Sequence, residues 1–165
     1  MKVFKKIKYF LIFLLLSLLK IISHLFYSIK SEWVGENKKH SWHGVRLVFL
    51  LNHTSLFEFI YIGILPFSFL WKLSKNLSFP VADITYDRFF LGRFLKMLGP
   101  NVIRITRKRD ESWQDFLKKI HNNTMIIFAP EGRMKRKNGL DKFGKPMTVK
   151  SGTTEVLKLF KNEEL

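Results

Sequence analysis

The ten residues Leu50-Leu51-Asn52-His53-Thr54-Ser55-Leu56-Phe57-Glu58-Phe59 follow an apolar run at 45–51, and they set a histidine and a carboxylate where buried side chains are expected. An apolar run of that length ending in a polar step reads as a buried strand, and the residues after it read as a helix over 55–64. Ser55-x-x-Glu58 has the form of a capping box, in which the serine accepts from the amide of residue 58 and the carboxylate reaches back to the amide of Ser55. With Ser55 as N-cap, His53 stands before the helix. That position matters, because on a regular helix residues five apart point about 140° away from each other. Outside the helix, His53 can fold back over the first turn to reach Glu58. The carboxylate then holds Nδ1–H and leaves Nε2 free to take a proton from a hydroxyl. A capped helix beside a structural histidine accounts for the same residues, and both readings can hold together.

Downstream, short apolar runs alternate with helical patterns, without an internal repeat or low-complexity tract. Residues 102–106 and Met125–Phe128 read as strands, with 67–73 as a candidate fourth. Helices are expected at 86–98, 111–121 and 153–160, with Asp110 as N-cap of the second and Ser112 competing for that place. This alternation predicts an α/β fold, a mostly parallel sheet flanked by helices with functional residues at the carboxyl ends of its strands. Asn52 and His53 lie at one such end, Glu131, Gly132 and Arg133 follow another, and Arg107 follows a third. A glycine that lets backbone approach a ligand, beside an arginine able to bind phosphate bidentately, suits a small phosphorylated molecule. The basic stretch Met134 to Gly139 has a simpler reading as a solvated turn.

At 165 residues the chain suits one domain, expected over 45–165, behind an N-terminal segment at 1–33. Lys2, Lys5, Lys6 and Lys8 precede an apolar stretch at 9–27 that only Lys20 and His24 interrupt. As a helix it would match the thickness of a bilayer's hydrocarbon core. No small-x-small cleavage site follows it, which speaks against a secretory signal. Basic residues on both sides leave orientation open and favour a helix lying in one leaflet, with Trp33 and a snorkelling Lys20 at head-group level. The 29 Lys+Arg against 13 Asp+Glu give a formal charge of +16, which attracts polyanions of any class. The absence of cysteine excludes disulfides, thiolate nucleophiles and cysteine-ligated zinc. Phenylalanine dominates the aromatics, 17 against 4 Trp and 4 Tyr, which suits acyl-chain or lipid contact better than base stacking.

Taken together, three segments resemble the glycerolipid acyltransferase family, which includes 1-acylglycerol-3-phosphate acyltransferases. Asn52-His53 with Glu58 is similar to that family's histidine and aspartate with four residues between them. Gly99 with Ile105-Thr106-Arg107 is similar to its second block, and Pro130-Glu131-Gly132-Arg133 to its third, followed by Lys150-Ser151-Gly152. The resemblance spans 45–157. It implies acyl transfer from acyl-CoA or acyl carrier protein to the hydroxyl of lysophosphatidic acid or a related lysolipid, with no covalent enzyme intermediate, no metal and no further cofactor. His53 and Glu58 would be catalytic, and Asn52, Arg107, Glu131, Gly132 and Arg133 would bind the acceptor. The implied location is a membrane, on its cytoplasmic face where the donors are, with no nucleic-acid partner. Two departures stand out: a glutamate replaces the aspartate, and the family's fourth block finds no counterpart before Leu165. The C-terminal part of the family fold is therefore expected to be missing, with an exposed sheet edge. A non-catalytic basic protein of membrane surfaces or nucleic acid, or an inactive truncated acyltransferase, is the alternative. Backbone amides near Thr54 and Ser55 are the expected oxyanion donors.

Overall fold

The structure, a computed structural model, describes residues 2–34, 42–54, 58–98, 101–106 and 110–161. In chain order the elements are α1 (Lys2–Phe26), β1 (Leu47–Phe49), a 3₁₀ helix (Glu58–Ile64), α2 (Phe67–Asn76), β2 (Leu77–Ala82), α3 (Asp83–Tyr86), α4 (Phe89–Leu98), β3 (Asn101–Ile105), α5 (Glu111–Lys118), β4 (Met125–Phe128) and α6 (Gly152–Lys161). The four strands form one parallel sheet in the order β1-β4-β2-β3. Both of its faces are covered, as parallel sheets require. Along β4 the side chains alternate between two cores. Met125 and Ile127 face a cluster built with α1, α2 and α4, while Ile126 and Phe128 face one built with α5 and α6.

The expected strand at 67–73 is a helix. Pro66 is extended (φ −68°, ψ 153°) at the position before the first turn, and Phe69, Leu70, Leu73 and Ser74 are buried together. That spacing is helical, whereas a strand would have alternated faces. The strand lies just beyond, in β2, which contains Pro80. Pairing with β4 covers only Leu77 and Ser78, so Pro80 is paired with β3 alone, a position that tolerates the missing N–H. Asp110 caps α5 as expected, its carboxylate accepting from the Ser112 amide at 3.0 Å. The helix expected at 86–98 begins at Phe89, as α4, and a separate short helix, α3, ends at Tyr86 before Asp87 and Arg88. The one expected at 55–64 is 3₁₀ from Glu58 onward. Ser55 and its cap lie outside the described residues.

Among the described residues, α1 is the one helix long and apolar enough to cross a membrane, about 37 Å at ~1.5 Å per residue. That makes it fit to anchor the chain. Ile12, Leu16, Leu19 and Ser23 are buried on its inner side, while Phe4, Ile7, Leu11, Leu14, Leu18 and Leu25 are exposed. Lys20 does not snorkel outward. Its ammonium donates to the carbonyl of Gly63, which also accepts from Nε2 of His24 at 3.0 Å, so the two basic residues in the apolar stretch bind α1 to the 3₁₀ helix.

Candidate active site

Because β1 and β4 are parallel neighbours with Phe49 opposite Phe128, the segments leaving their carboxyl ends emerge side by side. The Leu50 amide extends this ladder to the Phe128 carbonyl (3.1 Å). Three residues beyond the paired phenylalanines, Asn52 and Glu131 meet, the Asn52 amide donating to Glu131 Oε1 at 3.3 Å. Asn52 has φ +55°, and asparagine is among the few side chains that accept this conformation readily. The turn it makes delivers His53 to Glu58. Nδ1 of His53 and Oε2 of Glu58 are 2.5 Å apart, with the side chains 21% and 13% exposed. An ionised carboxylate only accepts, so it pairs with a proton on Nδ1, and in the neutral imidazole Nε2 then keeps its lone pair.

The second carboxylate oxygen, Oε1, accepts from the Thr54 amide at 2.8 Å. Glu58 therefore holds both the imidazole and the backbone that follows it. This contact uses the Thr54 amide, one of those the sequence offered as an oxyanion donor.

Glu131 is buried behind the Asn52 turn, and its Oε2 has no partner among the described residues. Gly132 has φ +63° and closes a turn to the Ala129 carbonyl (3.0 Å), while the Pro130 carbonyl accepts from the Lys150 amide (2.9 Å). Arg133 follows, about one-third exposed, with its guanidinium over the Phe143 ring at 5.3 Å and Nη1 donating to Asp141. The basic loop is not a free solvated turn. The Lys135 amide donates to the His53 carbonyl at 2.7 Å and its Nζ to Asn52 Oδ1 at 3.0 Å, which straps the loop to the histidine segment.

Asp141 and Lys135 were not singled out from the sequence. Asp141-Lys142-Phe143-Gly144 does carry an Asx-turn signature, and Gly144 has φ +73°. Nothing in that pattern announces the arginine eight residues earlier. Asp141 is buried; Oδ1 accepts from the amides of Phe143 (2.8 Å) and Lys145 (2.9 Å), and Oδ2 from Arg133. Burial pushes its pKa up, but the Lys145 amide, the Arg133 guanidinium and the Phe143 amide outweigh that and lower it to about 2.

The structure thus brings Asn52, His53, Glu58 and Glu131 together, with Gly132 and Arg133 on the adjoining loop. Arg107 and Gly99 lie outside the described residues. The carboxyl end of β3 is two strand spacings from β4, about 10 Å. Thr106, its neighbour, is pinned to the start of α5: its amide donates to Ser112 Oγ at 3.0 Å and its hydroxyl to Asp110. Gly152 admits the Trp113 ring, which a Cβ would meet at 2.7 Å, so the glycine after Lys150 serves packing.

A family model described as Acyltransferase matches residues 32–161, a span containing every one of these segments. Neither a curated protein nor a solved structure matches the chain. The chain belongs to the glycerolipid acyltransferase family, and its general role is acyl transfer.

Proposed function

We propose that this acyltransferase moves a fatty acyl group from acyl-CoA or acyl carrier protein to the free hydroxyl of lysophosphatidic acid or a related lysolipid, in phospholipid biosynthesis, with His53 as general base. The observation that carries the reading is the 2.5 Å contact between His53 Nδ1 and Glu58 Oε2, which leaves Nε2 able to accept a proton. As the acceptor oxygen attacks the thioester carbonyl, its proton passes to Nε2. Glu58 stabilises the imidazolium that forms. When the tetrahedral intermediate collapses, the C–S bond breaks and the thiol leaves with that proton, so the base is regenerated without a covalent enzyme intermediate, metal or cofactor. General-base help of this kind contributes ~10²- to 10⁴-fold.

Arg133 and Arg107 hold the acceptor's phosphate, Gly132 lets the backbone approach it, and Glu131, which receives the Asn52 amide, helps to form the glycerol's site. Asn52 shapes the turn that presents the base. The segment at 1–33 anchors the domain at 45–165 to the cytoplasmic face, as a monotopic or single-helix attachment, where it meets both donors and lysolipids. Nucleic acid has no part in the reaction.

The test is transfer of labelled acyl chains, by detergent-purified protein, from each donor to lysophosphatidic acid and to monoacylglycerol, which lacks the phosphate. The phosphorylated acceptor should be preferred by about tenfold or more, and Arg133→Ala should erase the preference. Equal use of both acceptors would remove the phosphate assignment. No transfer from either donor to any lysolipid would remove the activity itself.

A further inference from the structure

We infer that Asp141 is a positioning residue that sets the Arg133 guanidinium for the acceptor's phosphate, an inference that rests on the reading of Arg133 as a phosphate ligand. An arginine on a loop samples many rotamers and loses that freedom on binding an anion. Here the freedom is already restricted. Nη1 of Arg133 donates to Asp141 Oδ2, and the guanidinium lies over the Phe143 ring, two contacts that orient its plane while about a third of the side chain stays exposed. The guanidinium carries five N–H donors in a fixed fork, so an acceptor at Nη1 leaves further donors for a second anion.

Asp141 can act this way because it is itself immobile. It is 3% exposed, and its two oxygens divide the work: Oδ1 takes the amides of Phe143 and Lys145 and folds the turn, while Oδ2 faces Arg133. The same turn places the Phe143 ring on the guanidinium. The loop that carries Arg133 is tied in turn to the His53 carbonyl through the Lys135 amide, so the attitude of the guanidinium is fixed relative to the base.

The sign of one effect separates positioning from charge. A carboxylate beside Arg133 weakens its net pull on an anion, so if charge alone mattered, neutralising Asp141 would tighten phosphate binding. If orientation matters, the same change loosens it. Asp141→Asn makes this cut, because the amide oxygen keeps accepting from Phe143 and Lys145 while its NH₂ group faces Arg133, donor against donor.

Full-length protein in detergent is assayed with lysophosphatidic acid varied at saturating donor. Asp141→Asn should raise the acceptor KM about tenfold and leave kcat and the donor KM within about twofold, the pattern of lost uniform binding. In an Arg133→Ala background it should change nothing further. An acceptor KM that stays or falls in Asp141→Asn, while Arg133→Ala raises it, overturns the positioning role and leaves Asp141 a turn former. An acceptor KM unmoved by Arg133→Ala removes the phosphate reading of Arg133, and the positioning role with it. Arg133→Lys tests the same point with Asp141 intact, should Asp141→Asn melt below assay temperature. One ammonium cannot hold the fixed fork against both Asp141 and phosphate, so its acceptor KM should rise similarly, and an unchanged KM overturns the proposal.

Discussion

Asn52 has φ +55°, a conformation costing roughly 1–2 kcal/mol in most side chains. It sits between strand β1 and the histidine, and its amide and side chain contact Glu131 and Lys135. Asn52→Ala and Asn52→Gly both lose the side-chain contact, but only alanine also strains the turn. Alanine should therefore melt lower than glycine, by about 1 kcal/mol in urea titration; equal stabilities would contradict the left-handed turn. The pairing of His53 with Glu58 was readable because the capping pattern keeps the histidine out of the helix. The bond from the Thr54 amide to Glu58's second oxygen was not, since it depends on how the turn before the helix closes, which the capping pattern does not specify. The Arg133–Asp141 pair was hidden for a similar reason, as its geometry is made by two turns whose closure no single motif specifies. Asp141 titrates at about 2 in the folded chain, against ~3.9 unfolded. The unfolded chain takes up this proton first as pH falls, so the stabilisation is complete above the unfolded value and is lost as pH drops through about 2. The wild-type melting temperature should decline from about pH 4 to about pH 2, with Asp141→Asn losing part of that slope. Parallel pH profiles for the two proteins would exclude the ionised Asp141 pair.

Among the elements, β1, β3, β4, α5 and α6 were readable as apolar runs or capped periodic stretches. The exchange of a strand at 67–73 for helix α2 followed by β2 has two causes. A short apolar run does not declare its period, and Pro80 argues against the strand that contains it. The pairing resolves the second point, because the β4 ladder stops at Ser78 and Pro80 pairs with β3 alone. The close approach of α4 to the end of α3 depends on one residue that the pattern did not announce. Gly92 lies against the end of α3, where a Cβ would come within 2.0 Å of the Tyr86 carbonyl, and its amide donates to Arg88 at 2.8 Å. The consequence extends to the site, since Phe94 of α4 packs edge-on against Phe59, next to Glu58, at 5.2 Å. Gly92→Ala should cost about 1–3 kcal/mol, read as a lower urea midpoint at unchanged slope. A midpoint equal to wild type would mean that the two helices do not approach as closely as described.

Across the whole molecule, parallel adjacency of β1 and β4 is what turns two distant stretches of sequence into one site. Asn52 and Glu131 are 79 positions apart, yet they meet because each lies three residues beyond a paired phenylalanine. The apolar helix α1 joins the same assembly, since the Gly63 carbonyl that receives Lys20 and His24 belongs to the 3₁₀ helix beginning at Glu58. A helix suited to a bilayer and the carboxylate that holds the imidazole are thus attached to one short element. The measurement that bears most directly on this account is the acyl-transfer kcat of His53→Ala against wild type, on protein whose melting curve matches. A fall of about 10²-fold or more is the predicted result. A variant that turns over within a few-fold of wild type would contradict His53 as the base.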